Sequence, residues 1–254
     1  MAEKNSKRAI TSGRLFVVSV LYCVLLCVPC AAQRWFTVEE QTKTATNGKM
    51  RVADKKLYYT RGSRLIVLFG NGPSTYYMLS NPFGGTDIYY PGKNELAVLD
   101  PGMFNTSDEL LCIFADGQGS DLGLSREGYA FKSTFKDGDY TVRRYEPLKS
   151  GSMCAMVQLA LDSSYHPVSC FYYDKKGQVI TKTYLSHYTE LKGFHFPMRV
   201  TEISYFGEQR DSTVRLDIYS NLRIDEREDM HDFKVPSDAV VIDIKKGLKD
   251  FKGK

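Results

Sequence analysis

The stretch KKLYYTRGSRLIVLFGNGPSTYYMLSNPFGGTDIYYPGKNELAVLD, running from Lys55 to Asp100, decides the fold class. It is a series of short β-branched or aromatic runs: Lys56-Leu57-Tyr58-Tyr59, Leu65–Phe69, Tyr76–Leu79, Ile88-Tyr89-Tyr90 and Leu96–Leu99. Each run stops at a turn signal, successively Arg61-Gly62, Gly70-Asn71-Gly72-Pro73, Asn81-Pro82, Pro91-Gly92 and Asp100-Pro101-Gly102. The links are too short for parallel crossovers, so neighbouring strands must run antiparallel. The same rhythm extends outward to Trp35–Val38 before Asn47-Gly48, and onward through Tyr129–Phe135, Tyr140–Tyr145, Ala155–Leu161, Val168–Tyr173, Val179–Leu185, Phe196–Phe206 and Thr213–Tyr219. The pattern predicts about a dozen strands in a mainly β chain, an antiparallel meander forming a large curved sheet or barrel.

One segment breaks the rhythm. Asn105-Thr106-Ser107-Asp108-Glu109 supplies capping residues and first-turn acids, and Leu110, Ile113 and Phe114 then recur at helical spacing before Gly117. This predicts a short amphipathic helix inserted in the sheet, whose apolar side must cover a sheet face or a barrel mouth.

Charge and cysteine content change once the first residues are set apart. The chain has 254 residues, 34 Lys and Arg against 30 Asp and Glu, and six cysteines. Residues 1–32 hold four of the basic residues (Lys4, Lys7, Arg8, Arg14), one acid (Glu3) and three cysteines (Cys23, Cys27, Cys30). Their order is a basic stretch, the 14-residue apolar run Leu15–Val28, and Pro29-Cys30-Ala31-Ala32 with small residues at its end. That is the layout of a secretory signal cleaved before Gln33; the run is shorter than the roughly 20 residues a spanning helix needs. An uncleaved anchor is the competing expectation. Residues 33–254 form a single expected domain with 30 basic against 29 acidic residues. Such a chain has no general attraction for polyanions, which excludes nucleic acid as a default partner. Cys112, Cys154 and Cys170 are too few for a disulfide scaffold; turn geometry near Asp162–Pro167 sets Cys170 opposite residue 159 and away from Cys154, so all three read as buried small apolar residues.

Chemistry is sparse. His166, His187, His195 and His231 form no HxxxH or HExxH pattern and read as surface or half-buried spacers. Gly117-Gln118-Gly119-Ser120-Asp121-Leu122-Gly123 lacks the strand and helix of a phosphate loop and reads as a helix-to-strand connection. No serine sits in a GxSxG elbow, and no mature cysteine has an activating basic neighbour. No enzyme activity, metal or other cofactor is expected. Asn105-Thr106-Ser107 matches a glycosylation sequon.

Adjacent aromatic pairs are the most distinctive feature: Tyr58-Tyr59, Tyr76-Tyr77, Tyr89-Tyr90 and Tyr172-Tyr173. Neighbours in a strand point to opposite faces, so each pair sends one ring inward and one outward. Either these rings fill a core and an outer cross-strand ladder, or the inner face exceeds what one helix can cover and leaves an apolar cavity.

The order of these segments resembles the LolA-like periplasmic carriers of outer-membrane lipoproteins. ADKKLYYTRGSRLIVLF is similar to the family's early strand pair, YYMLSNPFGGTDIYYPGKNELAVLD to its following strands, and NTSDELLCIFADG lies where those proteins carry a lid helix. YYDKKGQVITKTYLSHYTELKGFHFPMRVTEISYFGEQRDSTVRLDIYSNLRID and DFKVPSDAVVIDI are similar to the late hairpins and the closing strand. The resemblance covers roughly residues 48–244. It implies an incomplete, half-open β-barrel with a hydrophobic cavity closed by a short helical lid, periplasmic residence, and acylated lipoproteins or another lipid as ligand. An inner-membrane exporter, an outer-membrane acceptor and a monomeric state are also implied. The chain departs from the family where the long first helix would stand, since it is already strand-like from Gln33, and none of Arg51, Arg61 and Arg64 is singled out as the family's lid-locking arginine. A basic residue on a turn is a solvated charge by default.

The expected cavity lining is Leu57, Tyr59, Leu65, Val67, Phe69, Met78, Ile88 and Tyr90 from the sheet, with Leu110, Ile113 and Phe114 from the helix; a one-residue slip would exchange inside for outside. The alternatives are a binder of another envelope lipid or glycolipid, or a filled β module for adhesion or interaction.

Overall fold

The computed structural model describes residues 34–81, 83, 85–99, 109–207 and 211–242. The export-signal reading of residues 1–32 and the Asn105 sequon fall outside the described residues.

Within Arg34–Lys254, which form one compact unit, all the described strands belong to a single open sheet. They are β1 (Trp35–Thr46), β2 (Lys49–Thr60), β3 (Arg64–Phe69), β4 (Tyr76–Ser80), β5 (Thr86–Tyr90), β6 (Glu95–Val98), β7 (Tyr129–Asp137), β8 (Tyr140–Pro147), β9 (Cys154–Leu161), β10 (Pro167–Asp174), β11 (Val179–Leu191), β12 (Phe194–Phe206), β13 (Asp211–Ile224) and β14 (Val240–Ile242). Among the described residues one α-helix, α1 (Leu110–Ala115), interrupts them. The order across the sheet is β14-β6-β5-β4-β3-β2-β1-β13-β12-β11-β10-β9-β8-β7.

The expected single meander is therefore two. β1–β6 and β7–β13 each run antiparallel, and they join where β1 pairs with β13. β6 lies near one edge and β7 at the other, and α1, between them in sequence, packs its apolar side on a sheet face. β14 adds to β6 in parallel, the one departure from antiparallel pairing among the described strands.

Local sequence explains the joints. β1 and β2 are joined at Asn47-Gly48, both with positive φ (48° and 73°), the two-residue hairpin turn that Asn-Gly favours. Between Thr37 and Glu39 the β1–β13 register shifts, with Asn221 of β13 at φ 52°, a bulge that brings both Tyr219 and Ile224 onto the face covered by α1.

A second core lies between β8–β10 and the chain that follows α1. Leu124, Tyr145, Val157, Leu159, Leu161 and Cys170 are buried there, with Tyr129 and Tyr172 packed against them. Cys170 pairs with Leu159 as the turn geometry predicts, and Cys112, Cys154 and Cys170 are all buried and free. Burial pushes the Cys170 thiol up to about 12, consistent with an unreactive packing residue.

Candidate functional site

The inner face of the sheet, the one α1 packs on, changes character along its strands. Its apolar end is built by Phe36 and Val38 of β1, Leu57 and Tyr59 of β2, Phe196 and Val200 of β12, and Tyr219 and Ile224 of β13. Leu111, Cys112 and Ala115 of α1 are buried in this cluster, and Leu110 and Phe114 pack against it. Phe114 meets Phe196 edge-on at 5.5 Å between ring centres. A β-carbon at position 119 would stand 2.6 Å from the Phe114 ring, so glycine at 119 is what allows the chain to fold back beneath it.

The helix is tethered as well as packed. The Tyr59 hydroxyl donates to Asp116 at 2.7 Å and accepts from the Gly62 amide at 3.1 Å, fixing the end of α1 to the β2–β3 turn. Burial and the Asp116 carboxylate hold the Tyr59 phenol well above its ordinary range, so it remains the donor. At the other end Glu109 precedes α1 in extended backbone, and its side chain does not cap the helix.

Beside α1 the inner face is not filled. A half-open cavity of about 350 Å³ runs over β3–β5, walled by Leu65, Val67 and Phe69 of β3, Tyr76 and Met78 of β4, and Ile88 of β5. Phe69 and Tyr76 stack at 4.7 Å, and Tyr90 closes on Tyr76 at 5.9 Å. Lys55, Glu109 and Arg215 complete the lining.

These three belong to a charged band lying next to the apolar end. Glu40 of β1 is 2 % exposed; its Oε1 sits 2.7 Å from the Lys55 ammonium and 3.7 Å from Arg215. The Arg215 guanidinium also bonds Asp217 at 2.9 Å, and the Thr42 hydroxyl lies within 2.8 Å of Glu40 and 2.7 Å of Asp217. No donor among the described residues reaches Glu40 Oε2. Desolvation first, then the Glu40 and Asp217 carboxylates, push the Glu109 carboxyl up to about 7 against the opposing pull of Lys55 and Arg215.

The outer face of the same strands is covered around Tyr58, Tyr77 and Tyr89. Residues 228–239 run over it before β14, and Phe233 packs on Tyr77 at 4.9 Å and on Tyr89 at 5.9 Å. His231, buried, meets Tyr58 edge-on at 5.6 Å; its Nδ1 accepts from the Glu228 amide and its Nε2 lies 3.3 Å from the Phe36 carbonyl. Arg64 donates to the backbone carbonyls of His231 (Nε, 3.0 Å) and Phe233 (Nη1, 2.8 Å).

The structure sorts the expected lining residues into three groups. Leu65, Val67, Phe69, Met78 and Ile88 wall the cavity, with Tyr90 at its margin. Leu57, Tyr59, Leu110 and Phe114 are in or against the packed core under α1. Ile113 does not share the face of Leu110 and Phe114: it is buried beside Gly123, while Leu111, Cys112 and Ala115 take the core positions. With only six residues, α1 is oriented by its two ends, Glu109 at the charged band and Asp116 on Tyr59, and not by the Leu110–Ile113–Phe114 spacing. The charged band was not foreseen. Its sequence signal is a polar substitution on the inner side of β1, β2 and β13, visible once Phe36-Val38-Glu40 is read as alternate residues. Arg64 is likewise no solvated charge, and His231 is no spacer; His166 and His195 also come together, 4.8 Å apart, with Tyr188 stacked on His166. Among the described residues no three His, Cys, Asp or Glu are grouped to hold a metal ion, and no helix is long and apolar enough to cross a membrane.

Solved structures are similar to this chain in fold. A LolA superfamily protein from Nitrosomonas europaea matches with a TM-score of 0.53 at 15 % identity, over 80 % of this chain and 91 % of its own. The fold is LolA-like. A putative outer membrane lipoprotein-sorting protein domain from Vibrio parahaemolyticus (TM-score 0.52, 16 % identity, 78 % and 89 % covered) and a DUF1329 family protein from Desulfovibrio piger (0.53, 14 %, 79 % and 90 %) share the LolA-like fold. No protein-family model and no curated relative matches the chain in sequence.

Proposed function

We propose that this protein is an exported, LolA-like carrier that shields acyl chains in the cavity beside α1 and takes part in outer-membrane lipoprotein sorting. The observation that carries the reading is the unfilled, apolar inner face over β3–β5, opposite a face that Phe233 covers at Tyr77 and Tyr89. Each methylene buried there contributes roughly 0.8 kcal/mol, so retention needs no catalytic group. The LolA-like neighbours, one described as a lipoprotein-sorting domain, support the same class of role. On this reading residues 1–32 are the cleaved export signal, residues 33–254 the single mature domain, and the protein a periplasmic monomer that receives cargo from an inner-membrane exporter and passes it to an outer-membrane acceptor. Leu65, Val67, Phe69, Met78, Ile88 and Tyr90 contact the chain, while Leu57, Tyr59, Leu110, Ile113 and Phe114 hold the lid above it. A cavity of about 350 Å³ stands at the low end of the roughly 300–1,000 Å³ usual for ligand sites, which favours a single-chain envelope lipid as the second reading.

The test is to purify the mature protein from periplasm, extract it with organic solvent and identify acyl-containing material by mass spectrometry. Near-equimolar lipoprotein or lipid is expected, and Met78→Trp, which fills the cavity, should abolish it in a folded protein. Lipoprotein supports the first reading and free lipid the second. A protein that is consistently empty and excludes apolar dyes would overturn both.

A further inference from the structure

A ligand in the cavity meets only part of the charged band. Glu40 and Asp217 are buried behind it, and the polar lining is Lys55, Arg215 and Glu109, with Ser80, whose hydroxyl is bonded to Thr86. The two buried carboxylates hold the two cations in place, Lys55 on Glu40 at 2.7 Å and Arg215 on Asp217 at 2.9 Å. They do not saturate them. An ammonium carries three N–H donors, and Glu40 Oε1 takes one from Lys55. Arg215 bonds Asp217 through Nε and reaches Glu40 only at 3.7 Å through Nη2, so Nη1 makes no bond among the described residues. Spare donors thus remain on two cations that line the cavity, whereas the spare acceptor, Glu40 Oε2, lies out of a ligand's reach. An ammonium and a guanidinium held beside one carboxylate oxygen at the end of an apolar wall suit an oxyanion, because charge-assisted bonds strengthen where water is excluded.

Resting on the acyl-carrier reading, we infer that the cavity selects single-chain amphiphiles with an anionic oxyacid head, the head meeting Lys55 and Arg215 while the chain lies along Leu65, Val67, Met78 and Ile88. Glu109 sets the pH dependence of that selection. The groups facing it are Glu40 from β1, Lys55 from β2, Arg215, Asp217 and Tyr219 from β13, and Cys112 from its own helix. Its carboxyl, pushed up to about 7, is protonated below neutrality and is then a third donor for the head. Ionised above neutrality, it repels the head. Affinity for an anion of fixed charge is therefore greatest below neutrality and falls as pH rises through about 7.

Dodecylsulfonate, dodecanol and dodecyltrimethylammonium share one chain, and their heads stay anionic, neutral and cationic whatever the pH. Their competition, below micellar concentration, with a bound fluorescent apolar probe on the mature protein tests the assignment. Near pH 5.5 dodecylsulfonate is expected to bind about tenfold more tightly than either of the others, corresponding to roughly 1.4 kcal/mol. The margin should shrink severalfold near pH 8.5. Glu109→Gln, which keeps a donor and cannot ionise, should retain it there, and Arg215→Lys, which keeps the charge and loses the planar fork, should reduce it at both pH values; circular dichroism checks that both variants fold. Methanesulfonate, the same head without the chain, should leave the probe in place at millimolar concentration, and displacement by it would reveal a free-anion site and overturn the amphiphile assignment. A margin in the unaltered protein that is the same at both pH values overturns the role of Glu109. Dodecanol or dodecyltrimethylammonium binding as tightly as dodecylsulfonate near pH 5.5 overturns this inference but leaves the carrier reading intact. If no dodecyl amphiphile displaces the probe, or the probe itself does not bind, it is the carrier reading that fails.

Discussion

The two faces of β2–β5 are made from the same kinds of residue and have opposite fates. On the outer face Tyr58, Tyr77 and Tyr89 are covered by His231 and Phe233, and Arg64 ties that covering segment to the sheet through backbone carbonyls. On the inner face Phe69, Tyr76 and Tyr90 stack along one another and border open space. The aromatic pairs of the sequence thus split into a closing set and a lining set. The difference lies in what the chain supplies to each side. The outer face receives a continuous stretch of twelve residues, 228–239, before β14 joins the sheet edge. The inner face receives one six-residue helix, enough for the β1, β2, β12 and β13 end and too short to reach β4 and β5. Stability is therefore concentrated outside and under α1, and the apolar room over β3–β5 is what α1 leaves bare.

Removing the outer clamp should produce the largest effect. Arg64→Ala deletes charge-assisted bonds to two carbonyls of a partly buried segment, at about 1.5–3 kcal/mol each before relaxation, and a net loss of about 3 kcal/mol in urea unfolding is expected. Probe affinity, measured on the folded fraction, should stay unchanged. A loss of affinity matching the loss of stability would mean that the two faces are one cooperative unit and that the division drawn between them is wrong.

How far the sequence could reveal this division follows from where the information is stored. Strand alternation and turns at Asn47-Gly48, Arg61-Gly62 and Pro91-Gly92 report local backbone preference, and they place the strands and the parity of Leu65, Val67, Phe69 and Met78 correctly, including the pairing of Cys170 with Leu159. The joining of β1 to β13, the parallel docking of β14 and the course of 228–242 are long-range events with no local signature. Arg64 illustrates this: beside Gly62 it has the sequence context of an exposed turn, and its partners lie more than 160 residues later. Glu40 and Lys55 read individually as ordinary polar positions. Their meaning depends on Arg215 and Asp217 arriving on the adjacent strand.

A second effect, opposite in sign, is expected on the inner face. The Glu109 carboxyl is raised from 4.5 to about 7 in the folded protein, so between those values the folded state holds a proton that the unfolded chain has released. Stability contributed by this group is complete below the lower value and is lost as pH rises to about 7. Glu109→Gln abolishes that loss. At about 1.4 kcal/mol per unit of displacement, discounted for its opening to the cavity, the variant should gain about 2 kcal/mol near pH 8 and nothing near pH 4. Urea midpoints at both pH values check it. A variant destabilised at pH 8 would show that Glu109 makes bonds the charged band needs, and that this band is as closed as the outer face.

The smallest change probes the tether that separates core from cavity. Tyr59→Phe keeps the ring packed against Phe36 and removes the hydroxyl that bonds Asp116 and receives the Gly62 amide. Asp116 is half-buried and Gly62 exposed, so water can serve both former partners, and the stability cost should be about 1 kcal/mol or less. The consequence for the ligand is larger than that figure suggests. With its C-terminal end released, α1 is held at the cavity border by side-chain packing alone, Leu111, Cys112 and Ala115 in the core with Leu110 and Phe114 against it, and dissociation of a bound apolar probe should accelerate severalfold while its association rate scarcely changes. Stopped-flow displacement resolves the two rates. If neither moves, α1 is a fixed part of the core, the cavity opens only along β4–β5, and the helix forms a wall to the ligand and not its gate.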